Sequence, residues 1–284
     1  MSWSIVFAVL CGALLHASWN AVVKSSGDKT ADTALVQFMG ALVALPFMLW
    51  LGPPRAESWP FIAASLLLHV GYYIALAGAY KHGELGLTYP IMRGFAPLLV
   101  ALASVAVIGE APSAAAWLGI VGITLGVAMV GLAHPGEALH HRKALMFAFA
   151  NAAIIACYTL VDGLGVRVSQ DALRYVLTLF VLDGLPYPLL VAWQRGHEGR
   201  RALLRYARGR WPVATVAGVA SAVSYAIALW AMTKAPVASV AALRETSVLF
   251  AVVLGTVMLK ERFGVQRALG AAVIVAGVVA LRVG

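Results

Sequence analysis

Charge is what this 284-residue sequence has least of: 12% of its residues are Asp, Glu, Lys or Arg, about half the share of an ordinary soluble domain. With 62% hydrophobic residues and a mean hydropathy of +0.87, that scarcity excludes a soluble globular protein and makes the bilayer the solvent for most of the chain. Cysteine is nearly absent. Cys11 and Cys157 lie in separate apolar runs, far from any CxxC pair, so they read as small core residues and exclude a disulfide framework. There is no HExxH, no phosphate-cradling glycine loop and no paired nucleophile and base, which argues against an enzyme and leaves no catalytic residue, metal or cofactor to expect. A histidine run, His134, His140 and His141, reads as loop solvation and not as a zinc tract. The first twenty residues lack the basic n-region of a signal peptide and continue the pattern of later segments, so they are read as a first helix.

What the chain does have is long apolar runs. Ten are long enough to span a membrane as helices, near 4–23, 33–51, 60–80, 87–108, 113–132, 143–162, 172–193, 211–232, 236–258 and 265–283. The fold class expected is an all-α integral membrane protein of ten transmembrane helices. The chain also repeats itself. Arg93, Glu110, Leu118, Gly119, Ile123, Gly126 and Val127 recur 151 residues later as Arg244, Glu261, Leu269, Gly270, Ile274, Gly277 and Val278. Upstream the offset becomes 153, placing Tyr72, Ile74, Ala75, Leu76 and Lys81 on Tyr225, Ile227, Ala228, Leu229 and Lys234. Shared hydrophobicity does not produce such a match, so residues 1–133 and 134–284 are read as two five-helix repeats in one compact bundle.

Polar residues inside the runs mark the candidate site, because polar groups turned toward hydrocarbon would be unsatisfied and so face a bundle interior or a wet cavity. In the first run His16, Trp19 and Asn20 share one helical face; for Asn20, packing against a neighbouring helix is an equal reading. The second run, with Gln37 near its start, reads as wall. The third places His69 and Tyr72 too deep to be interfacial. The fourth holds Tyr89, Pro90, Arg93 and Pro97, whose prolines predict a broken helix of the kind that lines transporter sites. Gly122 and Gly126 form a GxxxG read as close packing. The second half offers Asn151, Tyr158, Asp162, Asp183, Ser221, Ser224, Tyr225, Trp230, Arg244 and Glu245.

Several segments, HASWNAVVK, AYKHGELGLTYPIMRGFAPLL leading to VIGE, YTLVDGLGVR, and VAALRETSVLF followed by LKER, resemble the EamA-type transporters of the drug/metabolite transporter superfamily. The resemblance covers nearly the whole chain. It implies two inverted five-helix repeats, a central cavity lined by helices 1, 3, 4, 6, 8 and 9, alternating access, a multi-pass location in the bacterial inner membrane, and export of amino acids or other small metabolites. Four-helix relatives rely on a helix-1 glutamate for cations and protons; here that helix offers His16.

Inverted repeats would bring Arg93 and Arg244 together at the midplane. Their charge is then met either by an anionic group of the substrate, a carboxylate, phosphate or phosphonate gripped by the guanidinium fork, or by Asp183, Asp162 or Glu245 within the bundle. The two readings combine if protonation of Asp183 or Glu245 frees an arginine for substrate, coupling transport to protons. The substrate-binding set is Arg93, Arg244, His16, Trp19, Asn20, His69, Tyr72, Tyr89, Tyr158, Ser224 and Tyr225, with Asp183, Glu245 and Asp162 for proton coupling or ion pairing. A lipid or lipid-carrier flippase is the alternative, since paired arginines also suit phosphate headgroups. The partners expected are a small-molecule substrate and the lipid bilayer. The net charge of +9 gathers as six arginines between Arg195 and Arg210, read as a membrane-side loop attracted to anionic headgroups and not as a nucleic-acid surface. One chain suffices to build a pathway, and a dimer is compatible with it. Orientation is contradictory: the resemblance places both termini in the cytoplasm, whereas that side would then carry five loop Lys and Arg residues against fourteen opposite, the reverse of the positive-inside rule.

Overall fold

The computed structural model describes residues 1–82, 85–131, 142–259 and 264–283. His134, His140, His141 and Glu261 fall outside them, as does the side chain of Tyr89. Twelve helices are described: α1 (Trp3–Lys24), α2 (Lys29–Leu51), α3 (Trp59–His82), α4 (Leu85–Ala103), α5 (Ala114–Gly131), α6 (Arg142–Ser169), α7 (Ala172–Asp183), α8 (Pro186–Gln194), α9 (Gly196–Met232), α10 (Val237–Arg244), α11 (Ser247–Leu259) and α12 (Val265–Val283). Ten spans are long and apolar enough to cross a membrane, α7 with α8 making one and α10 with α11 another. Local chemistry sets the helix starts. Ser2, Asp28 and Asp171 cap α1, α2 and α7 by accepting the backbone N–H groups of Ile5, Ala31 and Arg174, and Pro186 opens α8. Outward-facing Trp3, Phe7, Leu49, Trp50, Leu118 and Val216 are exposed, as a lipid-facing surface requires.

The helix breaks lie elsewhere than the prolines indicate. α4 runs unbroken through Pro90 and Pro97, because each lost hydrogen bond is absorbed within a packed helix, and a π-turn at Ser104–Ile108 follows it. The interrupted spans are the seventh, which breaks between Asp183 and Pro186, and the ninth, which breaks at Glu245 and Thr246. Five of the six arginines are also helical, with Arg195 at the turn before them: RALLRYARGR is rich in good helix formers, so α9 extends outward to Gly196 for a total of 37 residues. Cys157 is exposed and not a core residue.

Packing follows the duplication. α3 packs on α6 and α4 on α6; the repeat-equivalent pairs, α9 on α1 and α11 on α1, pack likewise. α5 and α12, equivalent to one another, make the most extensive contact. A Cβ on Gly119 would meet the Gly277 carbonyl oxygen at 2.7 Å, and one on Gly277 would meet that of Gly119 at 2.8 Å. Gly126 and Gly270 stand in the same relation, at 2.8 and 2.9 Å. Ile274 fills the space over Gly126 as its counterpart Ile123 fills that over Gly277. Residue early on one helix thus meets residue late on the other. The crossing is antiparallel and maps onto itself when the halves exchange, which is the geometry of an inverted repeat with its two-fold axis in the membrane plane.

Gly126→Leu should therefore drive a side chain into the α12 backbone and destabilise the protein by about 1–3 kcal/mol. Gly209→Ala, where nothing lies within 4 Å of the added Cβ, should be neutral or mildly stabilising. Melting curves in detergent test the pair; equal behaviour of the two variants would contradict the crossing.

Candidate functional site

A single cavity collects most of the polar residues that the apolar runs contain. Its free volume is about 170 Å³, well above the roughly 10–15 Å³ that a single water needs and enough for several waters or one small solute. His16, Trp19, Asn20, His69, Tyr72, Arg93, Tyr158, Asp183, Ser224, Tyr225 and Arg244 all line it. Of the remaining candidates, Asp162 and Glu245 are buried just behind the wall. Trp230 does not take part. It lines a separate recess beside Arg167.

The two arginines are not in equivalent states. Arg93 on α4 pairs with Glu245, N to O 2.9 Å, with both side chains nearly buried. Glu245 sits at the α10–α11 break, where the first half has Gly94 at the matching position; the acid exists only once. Its second oxygen, Oε2, is buried with no hydrogen-bond partner among the described residues. Arg244 has no carboxylate partner among the described residues. Its guanidinium lies over the Tyr225 ring, 5.1 Å from the centroid. Tyr225 in turn donates its hydroxyl to Asp162, which also accepts from Tyr175 at 2.9 Å. Asp162 is thus a carboxylate satisfied by two phenols, and it reaches Arg244 only through the ring between them.

The opposite wall is acidic. Asp183, at the break in the seventh span, accepts from Tyr73 at 3.4 Å, and Tyr73 accepts in turn from Gln37. His69 stacks on Tyr158, with centroids 4.6 Å apart, while Tyr73 stacks on Tyr187. Trp19 meets His16 edge-on, and its indole N–H is buried without a partner among the described residues. The cavity therefore has a cationic end at Arg244, an acidic end at Asp183, and aromatic rings between.

Three polar residues bond backbone carbonyls, two of them across helix interfaces. Asn20 donates to the His16 carbonyl within α1, Asn151 donates to the Tyr72 carbonyl at 2.9 Å, and Ser224 donates to the Gly12 carbonyl at 2.7 Å. The last two are bonds between α6 and α3 and between α9 and α1, the two repeat-equivalent interfaces. Sequence reasoning missed Gln37, Tyr73, Leu179 and Phe180 as lining residues, so α2 is more than wall and the seventh span joins the site. Gln37, a polar residue inside the second run, was the available signal in α2.

Among the described residues, the cavity lies toward one face of the bundle. Its lining residues lie at the middle of the spans or toward the helix ends marked by Lys24, Lys29 and Arg210, whereas Val237 to Leu243, Leu229 and Met232 are buried on the other side. That closed side is clasped by Glu110 and Arg167. Arg167 donates to Glu110 at 2.6 Å and to the carbonyls of Met232 and Ala235, and the other Glu110 oxygen accepts the Val237 N–H at 3.0 Å, capping α10. Glu110 is one of the repeated residues, a signal that pointed to this clasp.

Glu245→Gln should leave the Arg93 charge stranded in the bundle and lower stability by about 3 kcal/mol or more, with Arg93→Gln/Glu245→Gln recovering much of the loss. Arg244→Gln should cost no more than about 1–2 kcal/mol, the scale of a cation–π contact. Comparable destabilisation by Glu245→Gln and Arg244→Gln, read by melting in detergent, would mean that Arg244 is also held by a structural partner.

Comparison with known proteins agrees with the duplicated helical architecture. The model of the EamA-like transporter family matches residues 3–132 and again residues 142–283. A crystal structure titled only as that of a protein superposes with a TM-score of 0.78 at 18% identity, over 100% of this chain and 98% of its own, which speaks to the fold. No curated protein matches the sequence.

Proposed function

Because the chain belongs to the EamA-like transporter family, and is accordingly a multi-pass membrane transporter of the drug/metabolite transporter superfamily and not an enzyme, we propose that its cavity carries a small carboxylate-bearing metabolite, an amino acid being the best fit. The observation that carries this reading is the unequal treatment of the two arginines. Glu245 forms its ion pair with Arg93, while Arg244, near enough to Glu245 to feel its charge, has no carboxylate in contact among the described residues and lies against the face of Tyr225. A substrate carboxylate completes Arg244 as a bidentate partner. The Trp19 indole N–H is a further donor at that end, and Asp183 across the cavity complements an ammonium group.

Coupling follows from the same asymmetry. Protonation of Glu245, whose Oε2 has no hydrogen-bond partner among the described residues, releases Arg93 to join Arg244 on the substrate anion, so that one proton and one substrate load together. The carrier works by alternating access in a bacterial inner membrane, and because proton and substrate load together and cross in the same direction, export runs down the substrate's own gradient and carries a proton outward with it. Opening requires separation of Glu110 from Arg167 and Val237, and closing of the opposite ends requires the equivalent movement of the other half.

A lipid-carrier flippase is the second reading, favoured by one feature. A side cavity between α1, α4, α5, α11 and α12 has walls of Val127, Val130, Val248 and Val252, ends at Lys24 and Arg267, and shares His16 and Asn20 with the central one.

Counterflow of labelled amino acids and organic acids in proteoliposomes tests the proposal. The parent should exchange at least one of them and accumulate it against its gradient when a pH difference is imposed. Glu245→Gln should keep exchange but lose the pH-driven accumulation, and Arg244→Gln should reduce exchange at least tenfold. Undiminished accumulation by Glu245→Gln would remove that residue from coupling; headgroup scrambling without solute exchange would select the flippase.

A further inference from the structure

The outer end of α9 has no part in the cavity, yet it is built and held in place. A bilayer core of about 30 Å needs about 20 helical residues, and α9 has 37; the surplus is residues 196–210. Two ties fasten it to the start of α2. Arg195 pairs with Asp28 at 2.8 Å, and Arg210 forks onto Asp32 at 2.7 and 3.2 Å while Tyr206 donates to the same carboxylate at 2.8 Å. The Arg195 hydrogen bond holds the Asp28 carboxyl below its usual range, so the first tie stays ionised at neutral pH.

With that side fixed, the opposite face follows from the helical period of 100° per residue. Arg200, Arg201, Arg205 and Arg208 fall within one arc of about 140°, along with Leu204 and Trp211. All six are exposed, Leu204 by 64% and Trp211 by 55%. Arg200 makes one further contact, donating through Nε to the Ala192 carbonyl, and Glu198 is the single acid of the segment. Trp193, 72% exposed, lies just before it. A face that only had to be wet would mix both signs and exclude Leu and Trp. Arginines interleaved with a Leu and a Trp, next to the end of a membrane span, instead match the boundary where headgroup phosphates meet acyl chains.

We propose that the outer segment of α9, residues 196–210 with Trp211, is a docking surface for anionic phospholipid headgroups, the four exposed arginines binding phosphates while Leu204, Trp211 and Trp193 sit at the headgroup level. Such a surface fixes the depth of α9, and through its ties to Asp28 and Asp32 the depth of α2, at the face onto which the cavity opens.

The test compares the full-length protein in bilayers of phosphatidylcholine alone and of phosphatidylcholine with phosphatidylglycerol, reading the preference for spin-labelled phosphatidylglycerol in the motionally restricted lipid shell. The parent should prefer the anionic lipid, with the preference declining as salt is raised. The quadruple variant R200Q/R201Q/R205Q/R208Q should lose at least tenfold of it. R142Q/K143Q, two exposed cations at the same membrane face but on α6, should keep most of it. Charge reversal at one position, R205E, gives the same direction with less risk to folding. Retention of the preference by the quadruple variant and by R205E would overturn the proposal, as would an equal loss in R142Q/K143Q, which would mean general charge attraction without a docking face.

Discussion

A guanidinium group cannot be left uncompensated in a bundle whose solvent is hydrocarbon, and here two of them share one cavity. That constraint organises the rest of the site. One charge is met from within by Glu245; the other rests on a ring whose hydroxyl is held by Asp162. Tyr175 then satisfies the remaining oxygen of Asp162, so this carboxylate is spoken for and serves Arg244 only at second hand. The cavity keeps a net cationic end that water or an anion must solvate. Such a site costs stability when empty, and it binds the complementary charge more tightly for that reason.

The scaffold around it is close to symmetric, and the function rests on where the symmetry fails. Gly119, Gly126, Gly270 and Gly277 let α5 and α12 approach backbone to backbone, a seam that looks the same from either half. Arg93 and Arg244 are equivalent by descent, but Glu245 has only Gly94 opposite it. The breaks at Asp183 and Glu245 also belong to the second half alone. In the proposed transport cycle the duplication would provide two interchangeable ends, and Glu245, an acid with no counterpart in the first half, would be the place to put a proton.

Much of this was legible in the chain. Hydrophobic runs gave the ten spans, and the 151-residue offset gave the duplication, because both are one-dimensional patterns. Deep polar residues gave most of the cavity lining, since hydrocarbon tolerates them in few other places. The partners were not legible. Nothing in RET at 244–246 says that Glu245 reaches Arg93 across the bundle instead of its neighbour, because pairing depends on helix rotation. The prolines misled for a related reason: α4 tolerates Pro90 and Pro97 inside a packed bundle, while the ninth span breaks at Glu245 and Thr246 with no proline between Pro236 and its end. Ser224, read as a site residue, lines the cavity and also bonds the Gly12 carbonyl, and Asn151, read as facing the interior, bonds the Tyr72 carbonyl, partners that only packing reveals. Five of the six arginines read as a loop were helical, since charge marks the membrane boundary and not the end of a helix.

The most direct test of the unequal arginines is a thermal-shift screen of purified protein against anionic, zwitterionic and cationic metabolites, run on the parent, Arg244→Gln and Arg93→Gln. A ligand that binds the folded state raises the melting temperature by mass action without any transport assay. The account predicts stabilisation by a carboxylate-bearing solute that Arg244→Gln abolishes while its own baseline stays near the parent's, and a lowered baseline for Arg93→Gln, which leaves Glu245 unpaired. Stabilisation by cations or lipids alone, or an anion response that survives Arg244→Gln, would contradict it.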